Sequence, residues 1–138
     1  MQDNLIDWFK SFVPAPLNAA PRLWLRAAIG IAFVMPLVFL SDRWLVGTGL
    51  ALQVIAPVGA SAVLVFVASS SPFAQPWSVI GGNLFAALIG VSLGLSGLPS
   101  VLAATLAGAA TLLCLFSLRC LHPPSIALAL VAAVGSPD

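Results

Sequence analysis

The chain has 138 residues, of which 61 % are hydrophobic and only 7 % carry a charge, and its formal net charge is +1. A soluble domain carries roughly 25 % charged residues, so this composition excludes a soluble globular protein and predicts an integral membrane protein. A net charge this small also argues against a nucleic-acid partner. Apolar stretches long enough to span a bilayer as helices predict an all-α protein in the lipid bilayer.

Residues 1–21 are predicted to form an interfacial segment, and residues 22–138 a transmembrane domain. The segment contains acidic residues and prolines but no long apolar run, which excludes a signal peptide. Its apolar side chains are spaced as in a loosely amphipathic helix lying on the membrane surface. A frayed tail is the alternative.

Four apolar stretches are predicted to span the membrane, since a spanning helix needs about 20 residues. A fifth stretch, 126–134, is too short to cross and follows prolines, so we predict a re-entrant half-helix. The four predicted spans are 23–40, 45–68, 79–97 and 101–118.

The second span contains Pro57 and Gly59 near its middle, which predicts two half-helices, 45–56 and 60–69. A simple proline kink is the alternative. Residues 57–65 and 123–131 share three identities, which indicates a possible weak internal repeat. Paired breaks at corresponding positions are typical of transporter sites.

The charge distribution predicts the orientation of the chain. Lys10, Arg22 and Arg26 place the N-terminus in the cytoplasm by the positive-inside rule. Four crossings then return Arg119 to the same side. We expect a multi-pass protein of the cell's inner (plasma) membrane.

The third span carries a small residue at every fourth position, which favours close approach of another helix. We predict that this stripe supports a homo-oligomer, although the same contacts within one chain would also explain it. The stripe consists of Gly82, Ala86, Gly90 and Gly94.

The stretch from Arg119 to Ser125 holds the only histidine of the chain, His122, followed by Pro123 and Pro124. A polar cluster beside apolar sequence is costly in a membrane and marks a functional site by default.

The polar inventory excludes several chemistries. All acidic residues lie outside the apolar stretches, which disfavours a cation pathway and leaves no acid/base pair for an enzyme. Cys114 and Cys120 do not form a metal-ligand set with one histidine, so we predict no metal and no cofactor, with both thiols buried as small apolar groups.

The remaining polar groups are cationic or neutral, and helix N-termini at proline breaks attract anions. We therefore predict a site for a small anion. Four simpler readings stay open. Arg119 snorkels to the headgroups, His122 only caps the short helix, and Asn83 only bonds a neighbouring helix. In the fourth, residues 75–77 are only a loop with Trp77 as a membrane anchor. The predicted site comprises Pro57, Gly59, Ala60, Ser61, Asn83, Arg119, His122, Pro123, Pro124 and Ser125.

Four sequence elements together resemble the HPP family of integral membrane proteins over about residues 22–135. The resemblance implies a multi-spanning fold, and it points to nitrite because family members from cyanobacteria and plastids are implicated in nitrite transport. The four elements are APVGASAVL at 56–64, SPFAQPW at 71–77, GGN at 81–83 and LHPP at 121–124.

The chain departs from the family pattern in two places. Ser125 and Ile126 follow the prolines where the family usually has small, glycine-rich residues, and the chain stops at Asp138 where members continue into another apolar segment. We expect a short or truncated member.

These observations predict a transporter or channel for a small inorganic anion, with nitrite as the leading candidate, and no enzyme activity. The alternative is a non-transporting structural or regulatory subunit that packs through its glycine-rich helices.

Overall fold

The computed structural model describes residues 21–41, 43–44 and 50–135, with only the backbone of residues 50–52. Within these ranges the chain is all-helical, in agreement with the predicted fold class. The predicted interfacial helix of residues 1–20, the start of the second span and the C-terminal residues 136–138 lie outside the described residues.

The described residues form five α-helices and one short 3-10 turn. The 3-10 turn, η1, precedes α3, and the hydroxyl of Ser71 accepts a hydrogen bond from Phe73 N at its start. The helices are α1 (Pro21–Ser41), α2 (Leu50–Val67), α3 (Pro76–Gly94), α4 (Ser100–Ser117) and α5 (Pro123–Val134), and η1 is Pro72–Ala74.

Three of these helices, α1, α3 and α4, are long and apolar enough to cross a membrane. The described apolar part of α2, Gln53–Val67, is shorter, so the predicted count of four spans is not settled by these helices. Helix α5 has 12 residues and a length of about 18 Å at 1.5 Å per residue, well short of a hydrocarbon core of about 30 Å. The re-entrant path of α5 remains a prediction.

The predicted break at Pro57 was wrong. Helix α2 runs without interruption from Leu50 to Val67, with Pro57 inside it. Pro57 has no N–H to donate to the carbonyl of Gln53, but ending the helix would expose many more unpaired backbone groups to hydrocarbon. One missing bond is the smaller cost, so the proline is accommodated within the helix.

Helix α5 lies at the centre of the helix packing, against α3, α4 and α2, whereas α1 packs chiefly against α2. The core between α3, α4 and α5 is made of small side chains, which allow the helix backbones to approach closely. Large apolar side chains point outward instead, as expected for a protein whose solvent is lipid. The core residues are Ala86, Ala103, Ala107, Ala129 and Ala133.

Candidate functional site

Helix α4 ends in a tight C-terminal turn that begins the site. The amide of Cys120 donates to the carbonyl of Leu115 at 3.0 Å, and the amide of Arg119 donates to the carbonyl of Phe116 at 3.2 Å. These two bonds form a Schellman motif, which requires a left-handed residue after the helix C-cap. Arg119 takes this conformation, with a φ of 54°.

Helix α5 begins directly after an extended residue, His122, whose φ is −133° and ψ is 98°. A residue before proline is restricted to such conformations, so the sequence itself forces the chain to restart here. His122 therefore occupies the N-cap position of α5, as the simpler reading expects, although its side chain makes no capping hydrogen bond.

The N-terminus of α5 offers few amide donors for an anion. Pro123 and Pro124 occupy its first positions and carry no N–H, and the amide of Ser125 donates to the carbonyl of His122 at 2.9 Å. Since α2 also does not restart at Pro57, the expected pair of facing positive helix ends is absent from the described residues.

The imidazole of His122 is fully buried and bonded at both ring nitrogens. Its Nδ1 lies 2.8 Å from the carbonyl oxygen of Phe73 in η1, and its Nε2 lies 2.9 Å from Oγ of Ser61 on α2. A carbonyl oxygen only accepts, so Nδ1 carries the hydrogen and donates. In the neutral imidazole, Nε2 then accepts the hydroxyl hydrogen of Ser61. His122 therefore connects η1 and α2 to the start of α5.

A second pair of polar side chains lies beside His122. Oγ of Ser125 donates to Oδ1 of Asn83 at 2.9 Å, and Nδ2 of Asn83 donates to the carbonyl of Val79 at 2.9 Å. Asn83 thus bonds α5 to α3, which is the simpler reading of this residue. Because buried polar groups are costly when unpaired, these bonds specify how α3 and α5 meet.

Gly82 makes room for this polar network. A Cβ atom on Gly82 would lie 2.9 Å from both Cβ of His122 and Oγ of Ser125. Any side chain there would displace the imidazole or the hydroxyl. The absence of a side chain at residue 82 is therefore a condition for the network to form.

The rest of the small-residue stripe on α3 packs against α5 of the same chain. A Cβ atom on Gly90 would lie 2.6 Å from the carbonyl oxygen of Ala129, and one on Gly94 would lie 3.0 Å from that of Ala133. Ala86 is fully buried in the same core. This stripe joins helices within the chain, so it supplies no evidence for the predicted homo-oligomer.

The structure brings together part of the predicted site. Two hydrogen-bonded pairs, Ser61–His122 and Asn83–Ser125, lie side by side and are together named the histidine network. Pro57 is buried one turn before Ser61 on α2. Other members lie elsewhere. Ala60 is exposed, and a Cβ on Gly59 would be nearest to Met35 of α1, at 4.0 Å.

Arg119 is exposed and lines a separate cavity of about 250 Å³. No carboxylate is present in the described part of the chain, because the acidic residues are at positions 3, 7, 42 and 138. The cavity shares Phe73 with the histidine network, since the Phe73 carbonyl accepts from His122. It is lined by the polar residues Gln75, Ser78 and Arg119 and by the apolar residues Phe73, Leu115 and Phe116.

A family model described as HPP, transmembrane region, matches residues 15–138. The chain belongs to the HPP family. No curated protein and no solved structure gave a match. The letters HPP correspond here to His122, Pro123 and Pro124, the point where the chain restarts as α5 and where the imidazole connects three elements.

Sequence reasoning missed the main-chain partner of the histidine in this HPP protein. The carbonyl of Phe73 carries no side-chain signal, and it lies 49 positions before His122. Ser78 was missed as well; it is buried, and its hydroxyl donates to the carbonyl of Pro72 at 2.9 Å. The proline-punctuated segment 71–77 is the available signal, but its residue types favour a loop with Trp77 as a membrane anchor.

Two further groups complete the surroundings of the HPP turn. Nε1 of Trp77 donates to the carbonyl of Leu118 at 3.2 Å, which ties the start of α3 to the end of α4. The hydroxyl of Thr111 on α4 is buried without a hydrogen-bond partner among the described residues.

Both cysteines of the HPP chain are free thiols, and Cys120 is fully buried in the turn. Burial, and then the nearby Cys114, raises the pKa of the Cys120 thiol above its ordinary value. A thiol held in its neutral form is a poor nucleophile and a poor metal ligand. Among the described residues, no group of histidine, cysteine or acidic side chains is arranged to hold a metal ion.

Proposed function

We propose that this HPP-family protein is a membrane transporter or channel for a small inorganic anion, with nitrite as the leading candidate. The observation that carries the proposal is the cavity of about 250 Å³ that Arg119 lines next to the histidine network. Nitrite comes from the resemblance to family members implicated in its transport, and it fits the chemistry of a compact, singly charged oxyanion.

Electrostatics support an anion over a cation. A cation pathway through a membrane normally depends on carboxylates, and residues 50–135 contain none. The guanidinium of Arg119 is a cation that presents several N–H donors to oxygen atoms. At about 30 Å³ per water molecule, the cavity has room for roughly eight waters, which is ample for a partly hydrated small anion.

The histidine network has a defined place in this proposal. Arg119 receives the anion in the cavity, and His122, Ser61, Asn83 and Ser125 form the polar layer behind it. Pro57, Gly59 and Ala60 give α2 a surface without long side chains, along which α2 moves when the polar layer opens. Pro123 and Pro124 fix the position of the imidazole. Both ring nitrogens of His122 are bonded within the chain, so its contact with an anion requires movement of α2 or η1.

The membrane arrangement is part of the proposal. It comprises four crossings, a cytoplasmic N-terminus, a re-entrant α5 and a homo-oligomer in the inner membrane. The short length of α5 and the exposed apolar surfaces of α1 and α4 support this arrangement. Any oligomer contact must use such outer surfaces, because the glycine stripe of α3 is occupied by α5. No enzyme activity and no cofactor are proposed.

A non-transporting membrane subunit is the second candidate. The observation that favours it is the complete internal bonding of His122 and its neighbours, which would equally serve a purely structural turn. In that case the polar network specifies the helix arrangement and carries no ligand.

Nitrite flux into liposomes carrying the purified protein separates the two candidates. We expect flux in the wild type and a strong reduction in His122→Ala and Arg119→Gln. Arg43→Gln is the matched control, because Arg43 is an exposed arginine outside the cavity. Equal flux in all variants, or no flux above empty liposomes, would favour the structural subunit.

A further inference from the structure

Three described residues adopt a positive φ, and they differ in one respect. Gly97 after α3 and Gly135 after α5 have φ values of 74° and 75°, and a Cβ on either would meet nothing within 4 Å. Arg119 after α4 has a φ of 54° and is the one non-glycine among the three. An L-residue in this conformation is strained because its Cβ crowds the following carbonyl, and glycine avoids the strain.

The chain thus has glycine at two of the three positive-φ positions and an arginine at the third. Two explanations are available for the arginine. A cation near a helix C-terminus stabilises the helix through its dipole, which would be a structural reason. Alternatively, the side chain is kept for contact with a ligand, and some stability is lost in exchange.

The position of Arg119 favours the second explanation. Its side chain lines the cavity of about 250 Å³, and the hydroxyl of Ser78 at the same cavity already donates its hydrogen to Pro72. Gln75 contributes an amide, and no other cationic side chain lines the cavity. The apolar side chains Leu115 and Phe116 line the cavity beside Arg119, and hydrogen bonds between a guanidinium and an anionic oxygen are charge-assisted.

We propose that Arg119 is the residue that directly binds the anion, as a two-pronged donor to two oxygens of a compact, singly charged oxyanion in this cavity. The inference deepens the proposed function and rests on it for the class of ligand. It assigns binding to Arg119 and limits His122 to a positioning role through the carbonyl of Phe73. It also makes residue 119 a position where stability and binding oppose each other.

Substitutions at residue 119 separate the two explanations. Arg119→Gly removes the charge and the backbone strain, Arg119→Ala removes the charge and keeps the strain, and Arg119→Lys keeps the charge without the planar fork. Gly97→Ala is the matched control, since it places an L-residue at a positive φ in an open turn outside the cavity.

Two quantities are measured on the full chain in neutral detergent. The first is the Tm without added anion, and the second is the rise in Tm with increasing sodium nitrite against sodium gluconate at equal ionic strength. We expect Arg119→Gly to have a higher Tm than both the wild type and Arg119→Ala, and Gly97→Ala to have a lower Tm than the wild type. The nitrite concentration that gives half of the Tm rise should increase by roughly tenfold or more in Arg119→Gly and Arg119→Ala. It should increase less in Arg119→Lys and stay the same in Gly97→Ala.

A lipid phosphate is the other source of the same oxyanion chemistry. The nitrite titration is therefore repeated in vesicles of phosphatidylcholine alone and of phosphatidylcholine with phosphatidylglycerol. Competition by the anionic lipid that depends on Arg119 assigns the cavity to a headgroup and overturns the free-anion assignment. Equal titrations in both vesicles support it.

The remaining outcomes are decisive for the inference itself. A lower Tm for Arg119→Gly than for the wild type would show that the arginine is a structural cap. A nitrite effect on Tm that is the same in the Arg119 variants as in the wild type, or that is absent from the wild type, would show that Arg119 does not bind the anion. Arg119-dependent binding without nitrite flux would leave the binding site standing and overturn the proposed transport function.

Discussion

Pro57 and Pro123 lie in similar apolar surroundings but have opposite effects on the chain. Helix α2 continues through Pro57 for ten more residues, to Val67, whereas α5 starts at Pro123 after an extended His122. The difference is in the partners that are available to the backbone. In the turn before Pro123, the amides of Cys120 and Arg119 donate to the carbonyls of Leu115 and Phe116. The carbonyl of Leu118 accepts from the indole of Trp77.

Around Pro57 no such partners are present among the described contacts, apart from the Ser61 hydroxyl that is bonded to His122. A proline in a membrane protein therefore ends a helix only where other polar groups can satisfy the exposed backbone. The weak internal repeat fails for the same reason, because its first half has no turn that corresponds to residues 118–122.

The largest effect is expected from Gly90→Ala, which tests how tightly the region of Pro123 is packed. The added Cβ would lie 2.6 Å from the carbonyl oxygen of Ala129, a backbone atom that cannot rotate away. We expect a loss of about 3 kcal/mol in the free energy of unfolding in detergent, the upper end for overpacking. Gly59→Ala is the matched control beside Pro57, where the nearest atom is Cε of Met35 at 4.0 Å.

Gly59→Ala should change stability by less than about 1 kcal/mol, because alanine is also the better helix former. Equal losses for the two substitutions would show that α3 and α5 are no more tightly packed than α2, and the contrast between the regions would be wrong.

A smaller loss is expected from His122→Ala, which tests whether polar partners hold the break at Pro123. The substitution leaves the carbonyl of Phe73 without its donor and Ser61 without its acceptor. We expect a loss of about 2 kcal/mol, and about 1 kcal/mol for Ser61→Ala. Denaturant unfolding of the single and double variants gives the coupling between the two side chains. Strict additivity would mean that the Ser61–His122 bond contributes nothing to stability.

The smallest effects are expected from the prolines themselves. Pro57→Ala restores an N–H for the carbonyl of Gln53 and should raise stability, whereas Pro123→Ala removes the restraint that holds His122 extended and should lower it. Each change should be below about 1 kcal/mol, since proline also restricts the unfolded chain. Thermal unfolding of both variants side by side checks the sign, and two changes of the same sign would contradict the comparison.

Much of the fold was predictable because hydropathy and helix-breaking residues act locally. The apolar stretches became helices, and the restart at the His-Pro-Pro turn followed from the restriction that Pro123 places on His122. The predicted break at Pro57 was wrong because backbone groups in lipid must be hydrogen-bonded within the protein. This requirement overrides the local tendency of proline to end a helix.

The sequence by itself determined the class of protein and the family, and it singled out the polar side chains that meet around His122, since each depends on residue types and their spacing. Tertiary structure alone decided that His122 donates to the carbonyl of Phe73, that Gly90 faces α5 of its own chain, and that Arg119 lines a separate cavity. A main-chain carbonyl has the same chemistry at every position, and a glycine has no side chain to indicate its neighbour. Such partners are fixed only when the helices come together, because only then is each buried donor matched with one acceptor.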